Sequence, residues 1–301
     1  MSEEKYIKSY DGELLYAKEY IAENAKATVI LTHDMKEHSG LYEQVGEFLS
    51  QNNINVFTYD LRSHKNSAKE PFGTYSNDFF NDSLRDLIFI NKYLQKKYNL
   101  PIINIGVGCG ATLIVRCNQF FKDSKASILI GMPYDNLNIK NIFFRTTTKF
   151  KIMFINKNSE AKLTNKIINN SLSSKFEDGN YQSSNKNYIE QIKNDKFCNY
   201  NVSANILNSL FRGNCKTYLK KNLLKINKDQ NILLINGEYD IVTNFNKSTK
   251  HFIEKITKLG YMNINNWTFQ DMRHNILNEV NTNIVLKDIV DYIFKLIKPK
   301  N

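Results

Sequence analysis

The chain has few of the residues that mark disulfide-rich or metal-binding proteins. Its 301 residues include four cysteines, four prolines and one tryptophan. The cysteines are Cys109, Cys117, Cys198 and Cys215. They show neither the Cys-x-x-Cys spacing of a metal site nor the density of a disulfide framework, so we expect free thiols in a reducing compartment. We also expect no bound metal and no other cofactor.

Long apolar runs and an export signal are missing as well. The longest apolar runs, such as residues 126–132, are far shorter than the roughly 20 residues that cross a bilayer. The first residues, MSEEKYIKSYDGELLY, are acidic and polar and lack a basic region followed by an apolar run. The sequence therefore predicts a soluble, cytoplasmic protein.

Positive charge is in excess, with 41 Lys and Arg against 30 Asp and Glu and a net charge of +11. Such an excess favours binding to nucleic acid or to an anionic membrane. The lysines, however, are scattered among asparagines and isoleucines, and the chain has no nucleic-acid-binding motif. We therefore expect no nucleic-acid partner, whereas a transient contact with a membrane surface stays open.

Strand-like and helix-like segments alternate along most of the chain. A hairpin is predicted around Asp11-Gly12, and apolar or β-branched runs typical of buried strands follow at residues 27–32, 54–59, 102–105, 127–131, 231–236 and 263–269. Helical spacing occurs at residues 41–52, 81–98, 112–121, 247–259 and 284–297. This alternation predicts an α/β fold with a mostly parallel, doubly wound sheet whose functional groups lie at the carboxyl ends of the strands.

The alternation stops between about residues 133 and 215. We therefore predict a core formed by residues 1–132 and 216–301, with residues 133–215 inserted as a helical cap. The inserted part contains the aromatic residues Phe143, Phe144, Phe150 and Phe154. These rings could line an acyl tunnel, contact a lipid surface, or pack the cap onto the core.

One segment, IINIGVGCGATLIVR at residues 102–116, has the strand–turn–helix layout in which hydrolases present a nucleophile. Together with THDMKEHSG, with GEYD and with MRHN, in this order, it resembles the monoacylglycerol lipase and lysophospholipase branch of the α/β-hydrolases. The resemblance covers nearly the whole chain. It implies an α/β-hydrolase fold with an inserted helical cap and an ancestral activity on carboxylic esters.

The resemblance also implies a role for each matching position. Gly108 stands where the family has its serine nucleophile, so that position has no side chain. Asp240 matches the acid of the catalytic triad and His274 its histidine. The backbone N–H groups of Met35 and Cys109 match the two donors of the oxyanion hole.

The loop before the first helix departs from the family pattern. Two of its glycines are replaced by Asp34 and Lys36, and a later Gly-His-Gly reads SHK, residues 63–65. Because lysine tolerates a positive φ poorly, we expect the oxyanion hole to be reshaped.

A missing serine leaves the histidine with nothing to activate. We therefore expect a pseudoenzyme whose ester hydrolysis is lost or very weak and whose pocket still binds a small-molecule ester or lipid-like ligand. Two alternatives stay open. Cys109 could act as a thiol nucleophile after a one-residue slip, which would place Val107 where the turn needs glycine. Alternatively, His274 and Asp240 could activate a water. The sequence does not indicate an oligomeric state.

Overall fold

One mixed sheet carries the fold in the computed structural model, which describes residues 2–68, 71–134 and 158–298. Its strands are β1 (Ser2–Lys8), β2 (Leu14–Tyr20), β3 (Ala27–Thr32), β4 (Ile54–Tyr59), β5 (Ile102–Val107), β6 (Ser124–Ile130), β7 (Asn231–Gly237) and β8 (Ile264–Phe269). They lie in the order β1-β2-β4-β3-β5-β6-β7-β8. The pairs β1–β2 and β2–β4 are antiparallel, and all later pairs are parallel.

Helices cover both faces of this sheet. They are α1 (Glu43–Gln51), α2 (Phe79–Tyr98), α3 (Cys109–Cys117), α4 (Lys162–Ser173), α5 (Lys186–Asn194), α6 (Ala204–Thr217), α7 (Lys220–Leu223), α8 (Lys247–Lys258) and α9 (Thr282–Ile297). One buried cluster joins the sheet to α2, α3 and α8, and a second cluster joins it to α1 and α9. The predicted doubly wound α/β architecture is thus confirmed.

The central strands show why the sequence pattern predicted this sheet. Every residue of β3, β4 and β5 is buried, as expected for β-branched and apolar runs covered by helices on both faces. The hairpin also forms as predicted, with Gly12 at φ +84° in its turn. Helix α3 begins at Cys109, three residues earlier than its spacing predicted, because the chain enters the helix directly from the glycine turn. All four cysteines are free thiols, as expected.

The chain between β6 and β7 contains helices α4 to α7. Helix α6 packs against α2 and α3, so this part of the insertion lies directly on the core. The boundaries of the cap at residues 133 and 215 stay a prediction. The four phenylalanines discussed above, at positions 143, 144, 150 and 154, lie outside the described residues. Within the part that the structure describes, no helix is both long and apolar enough to cross a membrane.

A buried ion network ties the loop after β4 to the rest of the core. The guanidinium of Arg62 donates to both oxygens of Asp86, at 2.6 and 2.7 Å, and to both oxygens of Asp11, at 2.8 Å each. The Arg62 and Asp86 side chains are only 2% and 1% exposed. Burial by itself lowers the pKa of Arg62, but the two carboxylates outweigh it and raise that pKa. The network joins α2, the hairpin turn and the loop that follows β4.

Replacing Arg62 by methionine should destabilise the protein strongly, because Asp86 would stay buried without its partner. Breaking such a pair typically costs about 3–5 kcal/mol, and we expect a loss of that size in the free energy of unfolding, measured in urea. The matched control is Arg85→Met, since Arg85 is 63% exposed and lies 4.0 Å from Asp82. That change should cost at most about 1 kcal/mol. Equal losses for the two variants would contradict the prediction.

Candidate active site

Gly108 lies at the sharp turn between β5 and α3, where its backbone takes φ +52° and ψ −115°. The flanking glycines are required by close backbone contacts. A Cβ on Gly106 would lie 2.6 Å from the Ala111 nitrogen, and one on Gly110 would lie 2.3 Å from the Thr32 oxygen. The turn therefore has the backbone crowding that a nucleophile-bearing turn of this kind needs.

The carboxylate of Asp34 occupies the space beside Gly108. A Cβ built on Gly108 would lie 2.2 Å from Asp34 Cγ. The Cys109 N–H donates to Asp34 Oδ1 at 2.7 Å, and the N–H groups of Cys109 and Met35 both lower the pKa of this carboxylate. One of the two N–H groups that we predicted to form an oxyanion hole, that of Cys109, therefore already holds an anion that belongs to the chain itself.

His274 lies between two carboxylates. Its Nδ1 is 3.0 Å from Asp240 Oδ1, and its Nε2 is 3.3 Å from Asp34 Oδ2. The side chains of His274 and Asp240 are 2% and 0% exposed, and that of Asp34 is 19% exposed. The structure thus brings the predicted acid and histidine together, but places a second carboxylate where a nucleophile's hydroxyl would be expected.

This arrangement favours a protonated histidine. Burial by itself lowers the pKa of His274, but the charges and hydrogen bonds of Asp240 and Asp34 outweigh it and raise that pKa well above its usual value. Burial raises the pKa of Asp34, whereas His274 and the Cys109 N–H lower it by more. The two carboxylates therefore favour an imidazolium at this site, and an imidazolium cannot take a proton from a nucleophile or from water.

The Cys109 thiol does not replace the missing serine in this geometry. Its Sγ lies 4.0 Å from the carbonyl oxygen of His33, while the Nε2 of His274 faces Asp34. Burial and the charge of Asp34 raise the pKa of Cys109 well above that of an ordinary thiol, which disfavours the reactive thiolate. Val107 stays within β5, so the turn keeps Gly108 at its apex and shows no one-residue slip.

A buried glutamate fixes the loop that carries Asp34, residues 33–40. Glu37 accepts hydrogen bonds from the Asp34 N–H at 3.1 Å and from the Tyr42 hydroxyl. It also accepts from the Tyr188 hydroxyl at 3.2 Å and from the Asn275 amide at 2.8 Å. Tyr188 lies in α5, and Asn275 directly follows His274. The Glu37 carboxylate therefore joins the loop, α5 and the residue beside the histidine.

Three residues that replace glycines of the family pattern have a backbone conformation that favours glycine. Lys36 has φ +63°, and Ser63 and Lys65, which replace glycines of the family pattern, have φ +66° and +33°. The Lys36 N–H donates to His64 Nε2 at 3.3 Å, which holds the strained residue in place. Lys36 thus has the positive φ that we expected lysine to tolerate poorly. The hole is altered by the Asp34 side chain that fills it.

One group in the described part of the chain meets the distance requirement of a metal site. One ligand atom each from His38, Asp195 and Cys198 lies within 4.8 Å of the others. However, His38 Nδ1 accepts from the Gly40 N–H at 3.1 Å, so the proton lies on Nε2, which donates to Asp195 at 2.8 Å. The Lys65 ammonium is also only 3.4 Å from Nδ1 and would repel a cation. This geometry favours a hydrogen-bonded pair over a metal site.

The sequence singled out five residues that the structure brings together, but it did not predict the contacts of Asp34. The five positions that it singled out all line the same point of the fold: Met35, Gly108, Cys109, Asp240 and His274. Asp34 was noted there only as a lost glycine, and Glu37 only as part of a matching motif. The sequence contained one indication of this role, because the acidic Asp34 stands directly before Met35, a predicted oxyanion donor.

Known families and structures resemble this chain over nearly its whole length. Residues 23–281 match the family model described as serine aminopeptidase, S33. Similar solved structures include a lipase in its open form, with a TM-score of 0.87 and 15% identity over 99% of this chain and 100% of that one. A thermostable carboxyl esterase from Bacillus coagulans in complex with glycerol gives a TM-score of 0.88 and 17% identity over 98% and 99% of the two chains.

A soluble variant of monoglyceride lipase from Saccharomyces cerevisiae, in complex with a substrate analogue, is also similar. It has a TM-score of 0.75 and 18% identity, over 98% of this chain and 95% of that one. A comparison with curated proteins by sequence finds no match. At these identities the structural likenesses establish the shared α/β-hydrolase fold.

We predict that His274 stays protonated at mildly alkaline pH, where a free histidine with a pKa of about 6.5 is neutral. Nitrogen chemical shifts of the imidazole in a histidine-labelled sample measure this directly. Asp34→Asn removes one of the two flanking charges and should lower the pKa of His274.

The same sample contains an internal control. Burial lowers the pKa of His33 to about 4 and that of His64 to about 3, because neither ring has a carboxylate partner that offsets it. Both should therefore remain neutral where His274 is charged. A neutral His274 at neutral pH, or a pKa that Asp34→Asn leaves unchanged, would refute the imidazolium.

Proposed function

We propose that this chain, which belongs to the serine aminopeptidase S33 family, is a lipase- or esterase-like protein that forms no acyl-enzyme. It keeps the site of its α/β-hydrolase fold as a binding site for a small-molecule ester or lipid-like ligand. One observation carries the proposal. The Asp34 carboxylate lies against Gly108 and accepts the Cys109 N–H at 2.7 Å.

Acyl transfer needs an attacking group and an empty oxyanion hole, and the Asp34 carboxylate interferes with both. The hole stabilises a negative charge that develops on the substrate, and removal of one donor costs about 10²- to 10³-fold in turnover. Here the Cys109 donor already binds a full negative charge, which would also repel the developing oxyanion. Loss of the nucleophile itself costs on the order of 10⁶-fold in serine hydrolases.

The two hydrolytic alternatives gain no support from these contacts. A water-based mechanism needs His274 as a base, but the two adjacent carboxylates keep this residue protonated. A thiol mechanism needs a thiolate at Cys109, whose pKa burial and Asp34 raise. Binding without covalent chemistry is therefore the function that the site supports best.

The family and the similar structures support this class of ligand. One of these is an esterase with bound glycerol, and another is a monoglyceride lipase with a substrate analogue. We propose that the present chain binds a related small molecule in the corresponding pocket. The predicted cytoplasmic location and the transient membrane contact belong to the same proposal.

Restoring hydrolysis should require two substitutions together. Gly108→Ser alone should stay inactive, because its new side chain would meet Asp34 at 2.2 Å. Asp34→Gly alone should stay inactive, because it opens the hole but supplies no nucleophile. In Asp34→Gly/Gly108→Ser, hydrolysis of p-nitrophenyl butyrate should rise at least about 10²-fold above either single variant.

A serine-directed fluorophosphonate should label the double variant and neither single variant. Adding His274→Ala to the double variant is the matched control and should remove the gained activity. The proposal would be overturned if the natural protein already hydrolysed the ester as fast as the double variant, with a rate that depends on Cys109 or His274.

A further inference from the structure

A polar cleft of about 200 Å³ lies between residues 35–37 of the loop and the inserted segment. The facing walls come from α4, from residues 179–182 and from residues 192–199. Amides and hydroxyls dominate its lining, which includes Asn169, Ser173, Asn180, Gln182 and Asn199. An acyl tunnel would be lined by apolar side chains, so this cleft suits a polar group.

Two lysines face the cleft without a partner. Lys36 is half-buried and Lys193 is exposed, and both line the cavity. Neither ammonium makes a hydrogen bond or an ion pair with any residue in the ranges 2–68, 71–134 and 158–298. Burial lowers the pKa of Lys36, and the opposing effect of Cys198 is smaller.

Lys36 is also strained in its backbone. Its φ of +63° is favourable for glycine and costs a side-chain-bearing residue free energy. Residues kept in such conformations cluster at ligand sites, where the surrounding structure holds them in place. The lysine is thus placed in the cleft at the expense of local stability.

The charge of these lysines is not neutralised by the acidic residues around them. Among the described residues that line the cleft, the one carboxylate is Glu37, which already accepts from four donors. Asp195, which lies nearby, pairs with His38 at 2.8 Å. Two more lysines, Lys65 and Lys196, stack on Phe197 beside this pair. The cleft therefore has an excess of positive charge.

We propose that this cleft binds an anionic group, a carboxylate or a phosphate monoester, through Lys36 and Lys193. The inference rests on the proposed function, because it names the chemical class of the ligand for the same site. Tyr181 lines the cleft, and its ring centroid is 6.1 Å from that of His274. An anionic head group held here would leave the rest of the ligand beside the blocked oxyanion hole.

Calorimetric titration of the full chain with three probes tests this proposal. The probes are inorganic phosphate, hexanoate and the neutral ester monobutyrin. We expect at least one anion to bind more tightly than monobutyrin and to weaken as salt is added. Binding of phosphate with no binding of hexanoate assigns a phosphate monoester, and the reverse result assigns a carboxylate.

Lys36→Met removes the charge and keeps the length of the side chain. It should weaken anion binding about tenfold or more, because hydrogen bonds to a charged group are lost. Lys36→Gly removes the same charge and relieves the backbone strain, so it should weaken binding equally while raising the thermal midpoint. Lys258→Met, at an exposed lysine of α8 that does not line the cleft, is the control and should bind as the natural protein does.

The proposal is overturned if neither anion binds, if monobutyrin binds as tightly as the anions, or if the Lys36 and Lys258 variants are indistinguishable. These outcomes do not affect the gain of esterase activity expected from Asp34→Gly/Gly108→Ser. A failure of the anion proposal can thus be told apart from a failure of the proposed function.

Discussion

The chain of charges Asp240–His274–Asp34 is the interaction on which the rest of this site depends. In a serine hydrolase one carboxylate orients the imidazole, and the other ring nitrogen accepts the proton of the nucleophile. Here a second carboxylate lies 3.3 Å from that nitrogen and raises the pKa of the imidazole. The same carboxylate accepts the N–H of Cys109, one of the two predicted oxyanion donors. One side chain therefore contacts both the histidine and a predicted oxyanion donor.

The residues that match the family most closely hold the backbone of the loop. Asp60 accepts from both the N–H and the hydroxyl of Ser39, at 2.8 and 2.7 Å, and Glu37 accepts the Asp34 N–H. His64 accepts the Lys36 N–H. These contacts keep a glycine-like φ at Lys36, although a left-handed conformation costs such a residue on the order of 1 kcal/mol. The family pattern is thus lost at the nucleophile position and at two loop glycines, whereas these contacts still hold the backbone of the loop.

Much of the fold followed from the sequence because its causes are local. Runs such as ATVILT in β3 are buried on both faces, and Gly106 and Gly110 are required by contacts between neighbouring backbone segments. The direction of the Asp34 side chain could not be predicted in this way. Its partners Cys109 and His274 are 75 and 240 positions away. The family pattern indicates only that Asp34 replaces a glycine. Two of the four donors to Glu37, Tyr188 and Asn275, are likewise 151 and 238 positions away.

The amide resonance of Cys109 tests the position of Asp34 most directly. In a sample labelled with nitrogen-15 at cysteine, a charge-assisted hydrogen bond to the carboxylate should shift this amide proton strongly downfield. Asp34→Asn should move the Cys109 signal upfield and leave those of Cys117, Cys198 and Cys215 in place. An identical Cys109 signal in the natural protein and in Asp34→Asn would show that the carboxylate does not occupy the hole.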